Sequence, residues 1–452
     1  MAATFGHTAT AQEANPDTIY RQFALDEVVV TGTRTPKFLK DSPIQTRVIN
    51  SKDIARQDAT NVQDLLQQEL PGVEFSYAMN QQTHLNFSGF GGQGVLFLVD
   101  GERLAGETMD DVDFTRLNMD NVERIEIVKG AASALYGSNA TGGVINIITK
   151  RNMQPWTLNM NARYAKHNEQ RYGISYGFNR RHWGNLLTAN FNSTDNYDVH
   201  SAANPLTRII STVYGDRTMN LKEQLVWSPA DNFRLTGRAG YFFRETVRSA
   251  DLPERYRDFS GGLRMDWNIS ERDELQASYA FDQYDKSDYQ RITRLDVRDY
   301  SNVQNSIRML YNRSLNDGDM LTIGADYMHD YLYNTNLDGE TRKQDTWDVF
   351  AQYDWRIADK WEAVGALRYD YFSDRRESHL TPKFNICYRP LRNLALRAGY
   401  GMGFRAPTLK EKYYNFDMSG IWIVEGNADL KSEVSHNLNL SAEYTKGHYN
   451  FT

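Results

Sequence analysis

The residues of this chain that could do chemistry are scattered rather than clustered. One cysteine, Cys387, stands beside nine histidines. Neither an internal disulfide nor a cysteine-rich metal framework can be built from that set. His329, His379, His436 and His448 fall in or beside strand-like stretches, at separations that match no metal-binding spacing. Met109-Asp110-Asp111-Val112-Asp113 offers the carboxylate oxygens that calcium takes, but EF-hand spacing is absent, so a solvated acidic turn is expected. The stretches Gly89 to Gly94 and Gly137 to Gly143 are rich in glycine, yet neither ends in the Lys-Ser/Thr of a phosphate loop. They are expected to permit tight turns and close backbone packing. No His-Glu-x-x-His, Ser-His-Asp or paired-carboxylate arrangement stands out, so the chain is not expected to be an enzyme and no resident metal or cofactor is expected.

The elements that must position these residues differ along the 452-residue chain. A net charge of −7 argues against nucleic acid as a partner. The longest apolar run is Val95-Leu96-Phe97-Leu98-Val99, far short of the roughly 18 residues of a membrane helix. Residues 1–23 are small and polar. Ala9-Thr10-Ala11 has the form of a signal-peptidase site, so this segment is read as a signal remnant or flexible tail. Residues 24–150 read as a compact α/β unit. Strands are expected at Val28-Val29-Val30, Thr46 to Ile49, Leu96 to Val99, Val122 to Val128 and Gly142 to Ile148. Short helices are expected after Ser51, over Asn61 to Leu66 ahead of Pro71-Gly72, and over Gly130 to Tyr136.

From residue 151 the texture changes to strict alternation. Trp156, Leu158, Met160, Ala162 and Tyr164 share one face, and Trp347, Val349, Ala351, Tyr353 and Trp355 share another. Leu394, Leu396, Ala398 and Tyr400, then Leu438, Leu440, Ala442 and Tyr444, repeat the pattern. A period of two with one apolar face is a half-buried strand. Aromatic residues make up 12% of the chain and gather at strand ends, as a girdle at the lipid–water boundary would require. A transmembrane β-barrel is therefore expected over 151–452, with about fourteen strands before Thr452. Barrels plugged by a domain have about 22 strands. The chain is accordingly expected to lack its last strands. A soluble β-rich binding protein is the alternative from another class.

Several motifs resemble those of TonB-dependent outer-membrane receptors. Asp26-Glu27-Val28-Val29-Val30-Thr31-Gly32 resembles the TonB-box region. The run from Val122-Glu123-Arg124-Ile125-Glu126 through Gly142-Gly143-Val144-Ile145-Asn146-Ile147-Ile148-Thr149-Lys150 is very similar to the end of the family's plug domain. Phe97-Leu98-Val99-Asp100-Gly101 matches the preceding plug strand. Phe404-Arg405-Ala406-Pro407 and Gly426 to Glu433 are similar to two barrel motifs. The resemblance implies a TonB-box region over 24–34, a plug over 35–150 and a 22-stranded barrel around it, in a Gram-negative outer membrane. It also implies TonB-driven import of an iron chelate, siderophore or haem, with cobalamin as the runner-up. TonB with its inner-membrane energising complex, outer-membrane lipid, a small-molecule metal chelate and a surface lipoprotein are the partners it brings.

Site residues follow from that resemblance. Asp26, Glu27, Val28, Val29 and Val30 would pair as a strand with TonB. Glu123, Arg124, Glu126 and Lys129 alternate along one strand and are expected to contact the lumen wall, with Arg405 as a wall partner. His84, in an expected apical loop, would face cargo. Between Pro407 and Asn427 the chain has Tyr413, Tyr414, Met418 and Trp422 in place of the histidine common in haem receptors. Tyrosine can ligate haem iron, and aromatic rings can stack on a porphyrin or a siderophore.

Overall fold

The structure, a computed structural model, describes residues 3–5, 28–34, 37–38, 42–57, 59, 61–77, 83–106, 111–201, 204–248, 251–315, 318–374, 376–417, 420–421, 423–446 and 449–452. Asp26, Glu27, Met109, Asp110, Met418, Trp422, His448 and nearly all of 1–23 lie outside the described residues.

The α/β unit is built on a five-stranded sheet in the order Thr46–Asn50, Val122–Lys129, Gly143–Thr149, Val95–Val99, Glu102–Arg103. All its pairings are antiparallel except that of Gly143–Thr149 with Val95–Val99. Each face of the sheet has its own apolar cluster. Ile125, Ile127, Ile145 and Ile147 pack with Leu65 and Leu66 of the helix Val62–Glu69, and with Phe97 and Phe114. Phe114 meets Phe75 and Phe97 edge-on at centroid distances of 5.3 and 5.1 Å. On the other face Leu98, Val128 and Val144 pack with Leu135 and Tyr136 of the short helix Ser133–Tyr136. Asn61 caps the Val62–Glu69 helix by accepting from the Asp64 amide. A three-stranded sheet, Val73–Tyr77, Thr83–Phe87 and Phe90–Gly91, lies beside this unit and was not foreseen from the sequence.

The remainder is one sixteen-stranded antiparallel sheet. Two members, Ala3–Phe5 and Tyr449–Phe451, are three-residue strands at its ends, which leaves fourteen long strands from Trp156–Ala165 to Glu433–Lys446. Turns at 181–182, 231–232, 359–360 and 392–393 are two residues long and share one end of the wall. The other end carries the long connections 194–215 and 406–432. That asymmetry is the barrel pattern of short periplasmic turns and longer outer loops.

Side-chain alternation is inverted relative to a soluble sheet. Along Thr341–Ala358 the residues Trp347, Val349, Tyr353 and Trp355 are exposed on the outside, whereas Asp348, Phe350, Gln352 and Asp354 are buried against the lumen. Along Trp361–Phe372, Leu367 and Tyr369 face out while Arg368 and Asp370 face in. The exposed side suits hydrocarbon and the buried side is polar, as a plugged transmembrane barrel requires. The Val349→Lys variant would place an ammonium in lipid at mid-strand. It is expected to cost about 2–4 kcal/mol, read as a lower guanidinium midpoint for the protein folded in lipid vesicles.

Candidate functional site

Three features of the lumen bear on function: the joint between plug and wall, a cavity at the outer end, and the seat of the N-terminal segment.

The joint is ionic and buried. Arg116 follows Phe114, whose ring is locked in the plug core, so its guanidinium is carried to the wall. There Nε and Nη2 donate to Asp258 Oδ2 at 2.9 and 2.7 Å, and Nη2 also reaches Asp282 Oδ1 at 2.9 Å. Asp282 also accepts from the Ala105 amide at 2.7 Å. Gly106 comes next, with φ +75°, and a Cβ there would lie 2.5 Å from Tyr284. Only glycine lets the plug backbone approach this closely. Asp113 meets Arg244 Nη2 at 3.1 Å and accepts from Tyr284 Oη at 2.6 Å and Thr115 Oγ1 at 2.6 Å. Asp100 meets Arg238 Nη1 at 3.2 Å and accepts from Thr149 Oγ1 at 2.6 Å. Glu102 accepts from Ser278 Oγ at 2.9 Å and Arg308 Nη1 at 3.3 Å. Burial alone would raise the Asp100 and Asp113 carboxyls. The facing arginines, with the threonine and tyrosine hydroxyls, outweigh it and hold both below the ordinary carboxylate value.

These are not the contacts expected from the sequence. Arg124 pairs with Glu123 and Glu126 of its own strand, at 3.2 and 2.8 Å. Lys129 Nζ reaches the Pro71 carbonyl at 3.4 Å and lies 5.7 Å from the Phe87 ring centroid. Arg405 binds Glu411 and Glu433, both outside the plug. The strand Val122–Lys129 is paired on both edges inside the plug sheet, so its charges serve the plug itself. The acidic run is likewise not a solvated turn, because Asp111 and Asp113 are buried. Most ion pairs between plug and wall come instead from the segment that carries Asp100, Glu102, Asp113 and Arg116. Its sequence signal was weak, with charges interspersed among apolar residues and no periodicity.

The outer cavity spans about 180 Å³. Its plug side includes Gln93, Arg103, Asp111 and Asn139. Its wall side includes Tyr300, Asn302, Gln304, Met328, Gln344 and Lys410. His84 lies in the strand Thr83–Phe87 rather than a loop, does not line this cavity, and has Nδ1 3.1 Å from Asp111 Oδ2. Tyr413 and Tyr414 end a capped helical turn, Leu409–Tyr413, and pack against Leu332, Leu337 and Leu409. Tyr413 Oη donates to Asp374 at 3.0 Å, and Arg342 sits 4.4 Å above its ring. Lys410 Nζ is 5.6 Å from the Tyr414 ring.

Beneath the cavity lies the N-terminal segment. Val28–Val29 pairs with Lys37–Phe38, and Val29 is buried. The Val30 and Thr31 amides and the Thr31 hydroxyl all donate to Glu126 Oε2, at 2.9, 2.8 and 2.7 Å. Tyr136 Oη donates to the Thr31 carbonyl at 2.9 Å, and Gln352 of the wall to the Thr33 carbonyl at 2.8 Å. Arg34 is sandwiched between the Tyr136 and Phe350 rings, each 4.7 Å away, and its Nη1 is 3.6 Å from Asp326. Among the described residues, none of its guanidinium nitrogens has a hydrogen-bond partner. Burial, reinforced by Arg308, pushes its pKa down to about 10 against the opposing pull of Asp326. Burial also pushes the Tyr136 hydroxyl up to about 12. Arg103, from the cavity floor, donates to the Tyr136 and Ser138 carbonyls.

Two outcomes follow. Arg116→Met leaves Asp258 and Asp282 facing each other without the guanidinium that bonds both and is expected to cost about 3–5 kcal/mol of plug docking, read as faster proteolysis between Leu104 and Leu117. Because the folded-state pKa values of Asp100 and Asp113 are depressed, their stabilisation is complete above the unfolded value of about 3.9. It is lost as pH falls through the folded values. The melting temperature in detergent should therefore drop steeply only below about pH 4, and less steeply in Asp113→Asn.

Comparison with known proteins agrees with this architecture. A family model for the TonB-dependent Receptor Plug Domain matches residues 39–144, and one for the TonB dependent receptor-like β-barrel matches 132–452. The vitamin B12 transporter BtuB of Photobacterium profundum is 25% identical over 441 residues, covering 94% of this chain and 69% of the relative. The iron-regulated outer membrane virulence protein of Vibrio cholerae is also 25% identical, covering 99% and 69%. Among solved structures, the ferric enterobactin receptor PfeA of Pseudomonas aeruginosa superposes with a TM-score of 0.75 at 18% identity, over 90% of this chain and 69% of that one. Two family models that together span 39–452, on a polar-lined wall that holds an ionically docked plug, place this chain in the TonB-dependent receptors, transport proteins and not enzymes, of the Gram-negative outer membrane.

Proposed function

We propose that the protein imports a ferric siderophore, bound in the outer cavity and drawn inward when TonB pulls on Val28–Val30. The observation that carries this reading is the unbroken line of contacts from cavity to segment. Arg103 lines the cavity and holds the Tyr136 carbonyl, and the Tyr136 hydroxyl holds Thr31, one residue beyond Val30. Cargo that engages Arg103 competes with its hold on the short helix Ser133–Tyr136 and so loosens the seat of the segment. Val28–Val30 is then freed to add as a strand to TonB. The buried Arg34, held by one long ion pair and two rings, favours release, since an unsatisfied buried cation gains hydration when it leaves.

The iron reading draws on the iron-regulated relative and on the fold shared with a ferric enterobactin receptor. A cobalamin reading is favoured by a different observation. The cavity is lined by the side-chain amides of Gln93, Asn139, Asn302, Gln304 and Gln344, which suit a ligand rich in amides, and BtuB is among the relatives. Haem is supported less, because the Tyr413 hydroxyl is engaged by Asp374. Uptake of radiolabelled ferric siderophore and of cobalamin by cells bearing the protein separates the readings, and uptake of neither defeats both.

Strand addition uses backbone groups, so Val29→Pro is expected to abolish uptake while surface cargo binding persists, and Val29→Ala to reduce it only mildly. Glu126→Gln weakens the charge-assisted bonds that seat the segment. It should raise cargo-independent crosslinking to TonB roughly tenfold, the equivalent of about 1.4 kcal/mol.

A further inference from the structure

A second cavity in the lumen is unlike the others. It spans about 50 Å³ between the plug residues Lys129 and Ala131 and the strands Glu377–Leu391, Leu394–Arg405 and Glu433–Lys446. Lys129, Lys383 and Arg397 line it, and among the described residues no carboxylate does, whereas the outer cavity mixes both signs. Arg397 is neutralised by Glu443 at 2.7 Å and also donates to the Ser42 carbonyl at 2.9 Å. Lys383 has no such compensation. It is 6% exposed and has no hydrogen-bond or ion-pair partner among the described residues. Two positions along the same strand, Asn385 is 9% exposed and its amide nitrogen also lacks a partner.

The backbone explains why the space is there. Lys383 and Asn385 project from the same face of their strand, and opposite them in register stand Gly401 and Gly399. Two glycines remove the side chains that would otherwise fill the space in front of the two donors. From the other side the plug closes in, since a Cβ at Gly401 would lie 3.1 Å from the Ala131 carbonyl oxygen. A confined space lined by an uncompensated buried cation carries a positive potential that low-dielectric walls concentrate. A buried ammonium without a partner is costly, and so is an amide N–H without an acceptor. One negatively charged acceptor would relieve both.

We propose that this cavity is a binding site for a small inorganic anion, held by Lys383 Nζ and Asn385 Nδ2 on the wall, with Lys129 and Ala131 of the plug lining its other side. The bound anion bridges plug and wall on the side of the lumen opposite in chemistry to the Arg116 joint, where the plug supplies the cation and the wall supplies the carboxylates. The site does not depend on the identity of the cargo.

The test uses the full chain in non-ionic detergent, with bromide and inorganic phosphate as probes against gluconate at matched ionic strength. A saturable rise in melting temperature of about 2–4 °C is expected with at least one probe. It should be lost in Lys383→Met and weakened in Asn385→Leu. Crystals soaked in sodium bromide should show anomalous density within hydrogen-bond distance of Lys383 Nζ. That soak needs no variant, so a misfolded mutant leaves the decision intact. Responses that never saturate, that are equal in wild type and Lys383→Met, or a cavity filled only by water after soaking with both probes would overturn the proposal.

Discussion

Lipid takes the apolar face of every long strand, so the wall has mostly polar groups left to offer inward. Trp347, Val349 and Tyr353 point out, and Asp348, Gln352 and Asp354 point in. A plug cannot dock on such a wall by burying hydrocarbon. It must carry its own apolar core, which the two faces of the five-stranded sheet provide. It must then reach the wall with charge and hydrogen bonds, as Arg116, Asp113, Asp100 and Glu102 do. Ion pairs of this kind bring little net stability, because desolvation offsets most of the attraction. They are nevertheless specific in geometry, and water can replace them one at a time. A joint of this kind fixes the plug at rest yet allows it to shift.

The same reasoning separates the two ends of the N-terminal segment. Glu126 is fully buried, but its charge is met by Arg124 and by three donors from Val30 and Thr31. Arg34 is also buried but poorly met. One end of the segment is therefore strongly seated and the other is near balance. Release that begins at Arg34 and proceeds toward Val30 exposes the better-held groups last.

Much of this fold was legible in the sequence because both of its signals are local. Alternation with a period of two identifies each wall strand by itself, and about fourteen were expected where fourteen long strands stand. The plug strands and the helices after Ser51 and Asn61 were legible for similar reasons, from apolar runs and caps. The contacts between plug and wall were not legible, because they join residues more than a hundred positions apart. Glu123, Arg124, Glu126 and Lys129 looked like a wall-facing row by their spacing. Spacing cannot report that a strand has neighbours on both edges. His84 was misplaced for a related reason: a polar stretch next to glycines reads as a loop, but pairing with Val73–Tyr77 makes it a strand.

The position of Glu126 within the sheet decides where a pull on the segment is felt. Its strand, Val122–Lys129, lies between Thr46–Asn50 and Gly143–Thr149, and its neighbours Ile125 and Ile127 are core residues of the opposite face. Force on Val30 and Thr31 is therefore delivered first to side-chain bonds on this interior strand, not to an outer edge. Those bonds are few and can be taken over by water. The ladder behind them is continuous and shares its core with the helices. The segment should detach before the sheet yields, and further force must then pass along the chain through 35–45 into Thr46–Asn50, the strand at the sheet's edge. An edge strand has one ladder to lose. Unravelling from that side would open the lumen next to Ser42 and Arg397 while the Arg116 joint, at the opposite end of the sheet beyond Glu102–Arg103, stays closed.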